Sequence, residues 1–401
     1  MRKSATCLLS AAIMFMSMPL FGETMAPKSN DTAASGHKVA KSKPESKAKN
    51  EGPSTKSIMG QVYGIFSDLL PLSVSSQQFT AKENAGKISG DLSKLVKLSD
   101  ELTAHTQDLE FDYIGSNFKQ DVFEMNQAWK LGRQREAQFI FRTLSTNCIS
   151  CHTRAESVTD SSQPKLFAKV TEKGLTILER AELKTAVREF SEALDLYEQA
   201  LSPKQFSAIS PVMMEGYIVD YMIVALKVKA DTQRVQKTLE SLSFDPSIPF
   251  SLRSNIGKWI SFLKEYQPEA SMNITQIESL INKGRLANSF PLDSAGVVAN
   301  ILGSKHLQTL LANEKLPKED QAQAYYLLGI SELSINRPIQ ISRANYFLEK
   351  AVRTAPKTQV ATNAYSSLES NIYYQNSGSL GVFIPSTEIK KLDELRKLLP
   401  K

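Results

Sequence analysis

Apolar residues recur at steps of three and four positions from residue 57 onward, which is the period of amphipathic helices. The pattern predicts four helices, at about 57–70, 81–105, 117–130 and 133–154, and Pro71 is expected to end the first of them. Their apolar stripes are, in chain order, Ile58, Val62, Ile65 and Leu69; Ile88, Leu92, Leu95, Leu98 and Leu102; Phe118, Val122, Met125 and Trp129; and Ala137, Ile140, Leu144, Cys148 and Cys151. The first stripe is flanked by Met59, Tyr63, Phe66 and Leu70. Four such helices with short connections predict an antiparallel four-helix bundle.

The region 165–401 continues with helical periodicity and contains a repeat pattern. Its positions are Tyr325, Leu328, Gly329, Ala344, Leu348, Ala351 and Pro356, and a partial second copy lies at Ala186, Phe190 and Ala193. Large residues that alternate with small ones across two helices closed by a proline resemble a tetratricopeptide repeat (TPR). We therefore expect an all-α chain in which the bundle is followed by a degenerate TPR-like α-solenoid of about five helical pairs.

The N-terminal residues predict export followed by an unstructured tether. Residues 1–26 begin with Arg2 and Lys3, continue with an apolar stretch and end in small residues, as a cleavable signal peptide does. Residues 27–56 hold seven lysines, three acidic residues and no aromatic residue, and such a segment buries too little apolar surface to fold. A polar connector at 157–164 separates the predicted bundle from the repeat region.

The pentapeptide 148–152, Cys-Ile-Ser-Cys-His, carries the clearest chemistry of the chain. Two cysteines three positions apart on a helix share a face, and C-x-x-C-H is the spacing at which a c-type haem is attached. Cys148 and Cys151 would form the two thioether bonds, and His152 would be the proximal iron ligand. A zinc site or a thioredoxin-like redox pair uses similar cysteines and stays open. Cys7 is expected to leave with the signal peptide.

Two observations favour the haem over these alternatives. The remaining histidines, His37, His105 and His306, lack the spacing of zinc ligands, and the chain lacks the βαβ pattern of thioredoxin-like proteins. His306 is expected to be a surface residue at the start of a helix. Covalent haem attachment takes place on the export side of a membrane, which agrees with the signal peptide. The sequence therefore predicts one covalent haem c in a periplasmic protein.

Charge and composition restrict the partners of the protein. The net charge of +6 is small for 401 residues, and part of it lies in the tether, so no nucleic-acid partner is expected. No segment approaches about 18 uninterrupted apolar residues, so we do not expect a protein integral to the membrane. No paired carboxylates, activated nucleophile or phosphate loop is recognisable, so an enzyme is not expected. The concave face of a solenoid usually binds peptides or helices of other proteins.

Segment 57–156 resembles the class II cytochromes c, the family that includes cytochrome c-prime and its low-spin relatives. The similar stretches are IMGQVYGIF in the first helix, Phe79, Thr80 and Ala81 before the second, FKQDVFEMNQAW in the third and FRTLSTNCISCH in the fourth. The resemblance implies a four-helix bundle with the haem in its core. It also implies that a homodimer is one of the forms to expect.

The resemblance further implies a sixth iron ligand. In low-spin members of the family, a methionine of the first helix ligates the iron about twenty residues before the aromatic residue that leads into the second helix. Counting back from Phe79 by that interval gives Met59. A purely space-filling role for Met59 stays open, because thioethers often fill helical cores, and Met125 in the third helix is the competing methionine.

The chain departs from the family directly after the motif. Family members usually carry an aromatic and then a basic residue at the third and fourth positions after the histidine, where this chain has Ala155 and Glu156. Arg154 is the candidate for the same place beside the haem, one or two positions early.

Three hypotheses about function follow. In the first, His152 and Met59 ligate the iron, and the protein is a periplasmic electron carrier whose repeat region docks a redox partner. In the second, Met59 does not ligate, and the five-coordinate haem binds nitric oxide or carbon monoxide as a sensor. In the third, the protein is a haem-containing scaffold of an envelope complex.

Overall fold

The chain is mostly helical in a computed structural model, which confirms the all-α expectation. The structure describes residues 54–73, 75–104, 109–144, 148, 152–153, 174–202, 205, 210–267, 269, 271–289, 293–313, 315–335, 343–379 and 381–400. The predicted signal peptide 1–26, almost all of the tether 27–56 and the connector 157–164 lie outside these residues.

The helices before the motif are α1 (Thr55–Ser73), α2 (Ser76–Phe79), α3 (Lys82–Ala104), α4 (Leu109–Lys130) and α5 (Gln134–Thr143). The bounds of α1 and α3 are close to the predicted 57–70 and 81–105. Helix α4 begins earlier than the predicted 117, and α5 covers only the first part of the predicted 133–154. The prediction that Pro71 ends the first helix is wrong, because α1 runs on to Ser73. A proline so close to a helix end removes a single backbone donor, and Ser73 closes the turn by donating its hydroxyl to the carbonyl of Leu70 at 2.8 Å.

One apolar core joins these helices. Helix α3 packs against α4, α4 packs against α5, and α1 packs against both α3 and α5. The core residues include nearly all of the predicted stripes and are Ile58, Val62, Ile65, Phe66, Leu69, Phe79, Ile88, Leu92, Leu95, Leu98, Phe118, Val122, Met125, Ala128, Trp129, Ala137, Phe141 and Leu144. The periodicity therefore identified the buried face of each helix correctly.

The short helix α2 was not predicted and has a clear packing role. Ser75 caps its N-terminus by accepting a hydrogen bond from the backbone N–H of Gln78. Its last residue, Phe79, is fully buried and meets the ring of Trp129 edge-on, with 5.5 Å between ring centroids. The aromatic position that the sequence places before the second helix is thus a core position.

The region after the motif is also built from helices, most of which pack against a neighbour in the chain. They are α6 (Ile177–Ala186), α7 (Phe190–Ala200), α8 (Pro211–Met222), a π-helix (Ile223–Val228), α9 (Thr232–Ser243), α10 (Phe250–Glu265), α11 (Ile274–Ala287), α12 (Val297–Leu311), α13 (Lys318–Ser334), α14 (Ala344–Thr354), α15 (Gln359–Gln375) and α16 (Ser386–Arg396). The strands β1 (Ser377–Gly378) and β2 (Gly381–Val382) form an antiparallel hairpin between α15 and α16. In the part of the chain that the structure describes, no helix is long and apolar enough to cross a membrane.

Helices α13 and α14 pack through a glycine that the repeat pattern singles out. A Cβ atom added at Gly329 would lie 2.6 Å from two side-chain carbons of Leu348. The two positions are one small and one large residue of the repeat pattern, and Leu348 is fully buried. The glycine therefore allows the close approach of the two helices.

We predict that Gly329→Ala destabilises the protein by about 1–3 kcal/mol, because the added methyl group overlaps Leu348 in a packed core. Gly257→Ala is the matched control, since it lies within α10 and a methyl group added there would have no neighbouring atom within 4 Å. That variant should gain up to about 1 kcal/mol from helix propensity. Urea unfolding measures the change in the free energy of unfolding for both variants. Equal changes would contradict the close approach of α13 and α14 at Gly329.

Candidate haem site

A cavity of about 440 Å³ lies where α1, α5, the C-x-x-C-H motif and α6 meet. Its lining is mostly apolar, with a few charged side chains near one another. The lining residues are Thr55, Lys56, Met59, Gly60, Val62, Tyr63, Phe66, Leu70, Phe141, Arg142, Cys148, His152, Glu179, Glu182, Leu183, Ala186, Val187 and Arg188. The cavity therefore combines residues from before and after the motif.

Helix α1 forms the apolar wall of this cavity. Met59, Tyr63, Phe66 and Leu70 follow one another at steps of four and three, so they lie on one face of the helix. These are the four residues that flank the main stripe, and all four line the cavity. The main stripe packs into the protein core, and the two sets overlap, because Val62 also lines the cavity and Phe66 also belongs to the core.

The described motif residues line the same cavity. Cys148 is half-buried, and its Sγ lies 3.7 Å from the carbonyl oxygen of Leu144. His152, four positions further along the sequence, lines the same cavity. Cys151 and Arg154 lie outside the described residues. The structure thus brings Cys148, His152 and Met59 together at one cavity.

The imidazole of His152 has a defined hydrogen-bond partner. Its Nδ1 is hydrogen-bonded to the backbone carbonyl oxygen of Ala186, at the end of α6. Burial, and after it the nearby positive charge of Arg188, lower the pKa of His152 to about 4, while the hydrogen bond to Ala186 opposes the shift. The ring is therefore neutral at pH 7, with the proton on Nδ1 and the lone pair of Nε2 left for a metal. This is the arrangement that orients ligating histidines in metalloproteins.

Both ends of α6 are closed by local hydrogen bonds. At its start, Thr176 and Glu179 form a capping box, in which each side chain accepts from the backbone N–H of the other. At its end, the N–H of Glu189 donates to the carbonyl of Lys184 at 2.9 Å. The N–H of Arg188 donates to the carbonyl of Thr185 at 3.1 Å. This pattern is a Schellman motif, and it leaves the carbonyl of Ala186 to accept from His152.

Charged groups from α5 and α6 lie at the rim and wall of the cavity. Arg142 forms an ion pair with Glu179, which joins the two helices. Burial, and after it the carboxylate of Asp220 on α8, raise the pKa of Glu182 to about 8, while Arg142 opposes the shift. Glu182 is thus mostly protonated at neutral pH.

Two other predicted positions lie away from the cavity. Met125 is fully buried in the core of the first helices and does not line the cavity, so it is a core residue. The prediction for His306 is wrong: it lies inside α12, is half-buried, and its Nε2 is 2.8 Å from the hydroxyl of Tyr266. A contact with Tyr266, which directly follows α10, cannot be inferred from the sequence around His306. His37 and His105 lie outside the described residues.

Several cavity residues were not predicted from the sequence. Glu179, Glu182, Ala186 and Arg188 lie in or directly after α6, which the sequence assigns only to the repeat region. The T-x-x-E pattern of Thr176 and Glu179 marks the start of a helix but not its position against the motif. A backbone acceptor such as the Ala186 carbonyl has no sequence signature at all.

Comparison of the chain with protein-family models, with curated proteins and with solved structures found no match. Within the described residues, no group of three or more His, Cys, Asp or Glu side chains is arranged to hold a metal ion.

The residues at the cavity fit a covalent haem. The apolar wall of α1 suits a porphyrin face, Cys148 supplies a thiol, and His152 presents a neutral imidazole with its Nδ1 already hydrogen-bonded. Met59 supplies a thioether to the same space. A cavity of this size, lined by apolar side chains with a few polar groups, is typical of a cofactor site.

We predict that Glu182→Gln removes a pH dependence of stability. The folded protein holds the Glu182 proton up to about pH 8, whereas the unfolded chain releases it near 4.5, so the wild type loses stability as pH rises between these values. The loss should be on the order of 1–3 kcal/mol between about pH 5 and pH 8, and the variant should lack it. Urea unfolding at both pH values measures this difference in the free energy of unfolding. Glu101→Gln, an exposed position on α3, should behave like the wild type.

Proposed function

We propose that the protein is an exported c-type cytochrome that carries one covalent haem c and transfers electrons in the periplasm. The single observation that carries the proposal is the common cavity of Met59, Cys148 and His152, which the sequence separates by up to 93 positions. The motif C-x-x-C-H and the leader-like residues 1–26 support covalent attachment after export.

In this proposal each site residue has one role. Cys148 and Cys151 would hold the haem covalently, and His152 and Met59 would ligate its iron. When bound, the haem would supply a one-electron couple for exchange between a reduced and an oxidised partner protein. Ligation by two protein side chains, one of them a thioether, would favour electron transfer over gas binding and a higher reduction potential.

The architecture that accompanies this function is a class II-like four-helix bundle followed by a TPR-like solenoid. The mutual packing of α1, α3, α4 and α5 around one core supports the bundle. The close packing of Gly329 against Leu348 supports the repeat, because small-into-large contacts between paired helices are its basis. In this proposal the solenoid docks the redox partner, and Arg154 lies beside the haem.

We predict that Met59→Leu changes the coordination of the iron, because leucine keeps the volume of the side chain and removes its sulfur. The wild type should give a low-spin absorption spectrum with a sulfur-to-iron charge-transfer band and no response to carbon monoxide. The variant should become high-spin and bind carbon monoxide. Met125→Leu, in the buried core, is the matched control and should keep the wild-type spectrum.

Two outcomes of the same measurement would overturn the proposal. A wild-type protein that is already high-spin and shifts with carbon monoxide would replace electron transfer by gas binding. A wild-type protein exported with both thiols of the motif free, and without a pyridine haemochrome signal, would remove the haem from the proposal. For both measurements the protein is purified from a host that has the haem-attachment machinery, so that a lack of haem cannot be due to the host.

A further inference from the structure

We propose that the turn after α6 completes the haem pocket, with the guanidinium of Arg188 binding a carboxylate of the haem. The inference rests on the proposed function, since it assigns a residue to the same site. It places part of the haem site in the region after the motif, where neither the motif nor the family resemblance puts a haem-binding residue.

The position of Arg188 is the first support for this inference. Ala186, Val187 and Arg188 all line the cavity, and the carbonyl of Ala186 is hydrogen-bonded to His152. The turn is therefore attached to the proximal ligand itself.

The backbone of Arg188 is the second support. Its φ of +65° lies in the left-handed region, at the helix-ending position where glycine is the usual residue. An arginine there costs on the order of 1 kcal/mol relative to glycine. The Schellman motif does not require a charged side chain at this position, and Arg188 lies in the lining of the cavity.

The balance of charge at the cavity is the third support. Three cations line it, Lys56, Arg142 and Arg188, together with the acids Glu179 and Glu182. Arg142 is paired with Glu179. A haem carries two propionate groups, and a guanidinium at the wall of its pocket is a suitable partner for such a carboxylate.

The test compares two glycine substitutions at left-handed positions. Arg188→Gly and Lys357→Gly each remove one positive charge and one unfavourable φ, because Lys357 has a φ of +62°. Lys357 is exposed, lies after α14 and does not line the cavity. Both variants should keep or raise the thermal midpoint, which shows that the fold is intact.

Only Arg188→Gly should change the reduction potential of the haem. Loss of a cation beside the haem favours the oxidised state, so the ratio of oxidised to reduced haem at the wild-type midpoint should rise at least threefold. That ratio corresponds to about 28 mV for a one-electron couple, in which tenfold is 59 mV. Arg188→Lys keeps the positive charge and should show less than half of this shift, and Lys357→Gly should show none. Potentiometric titration with optical detection measures all four proteins.

The possible results separate this inference from the proposed function. Equal midpoint potentials for the wild type and Arg188→Gly, with haem attached in both, would overturn the role of Arg188 and leave the cytochrome proposal standing. Equal shifts in Arg188→Gly and Lys357→Gly would also overturn it, because the effect would then be general electrostatics. Absence of haem from the wild type would instead refute the proposed function.

Discussion

The hydrogen bond between His152 and the carbonyl of Ala186 is the interaction on which the candidate site depends. It selects the tautomer of the imidazole, orients the ring and brings the end of α6 to the motif. The acceptor is available because the Schellman motif that ends α6 uses the two preceding carbonyls and not that of Ala186. A local rule of helix termination thus supplies a contact to a distant part of the chain.

Further contacts at the start of α6 also hold this helix at the cavity. The ion pair between Arg142 and Glu179 joins α5 to the first turn of α6, and the capping box keeps Glu179 in that turn. On the other side, α1 presents its flanking residues to the same space while its main stripe is buried in the core. The lining of the cavity therefore combines apolar residues of α1 with charged residues of α5 and α6 and with residues of the motif. Such a lining suits a cofactor that has both apolar and charged parts.

The periodicity of the sequence was sufficient to predict most of the buried faces of the helices before the motif, because burial of an apolar stripe is a local property of each helix. It missed α2 and the early start of α4. It also failed at Pro71, where the outcome depends on a nearby helix end, and at His306, where it depends on a contact with Tyr266 after α10. The motif itself identified Cys148 and His152. Nothing local identified the end of α6 as their neighbour, because the pKa of Glu182 and the role of the Ala186 carbonyl arise from groups brought together by folding.

The position of α6 has a consequence for how such a chain can be inherited. Recombination often exchanges whole domains at connectors, and the polar segment 157–164 is the obvious place for it in this sequence. An exchange there would replace α6 and with it the charged wall of the cavity and the acceptor for His152. The two helical regions are therefore expected to stay together through evolution, as a single heritable unit rather than as two exchangeable modules.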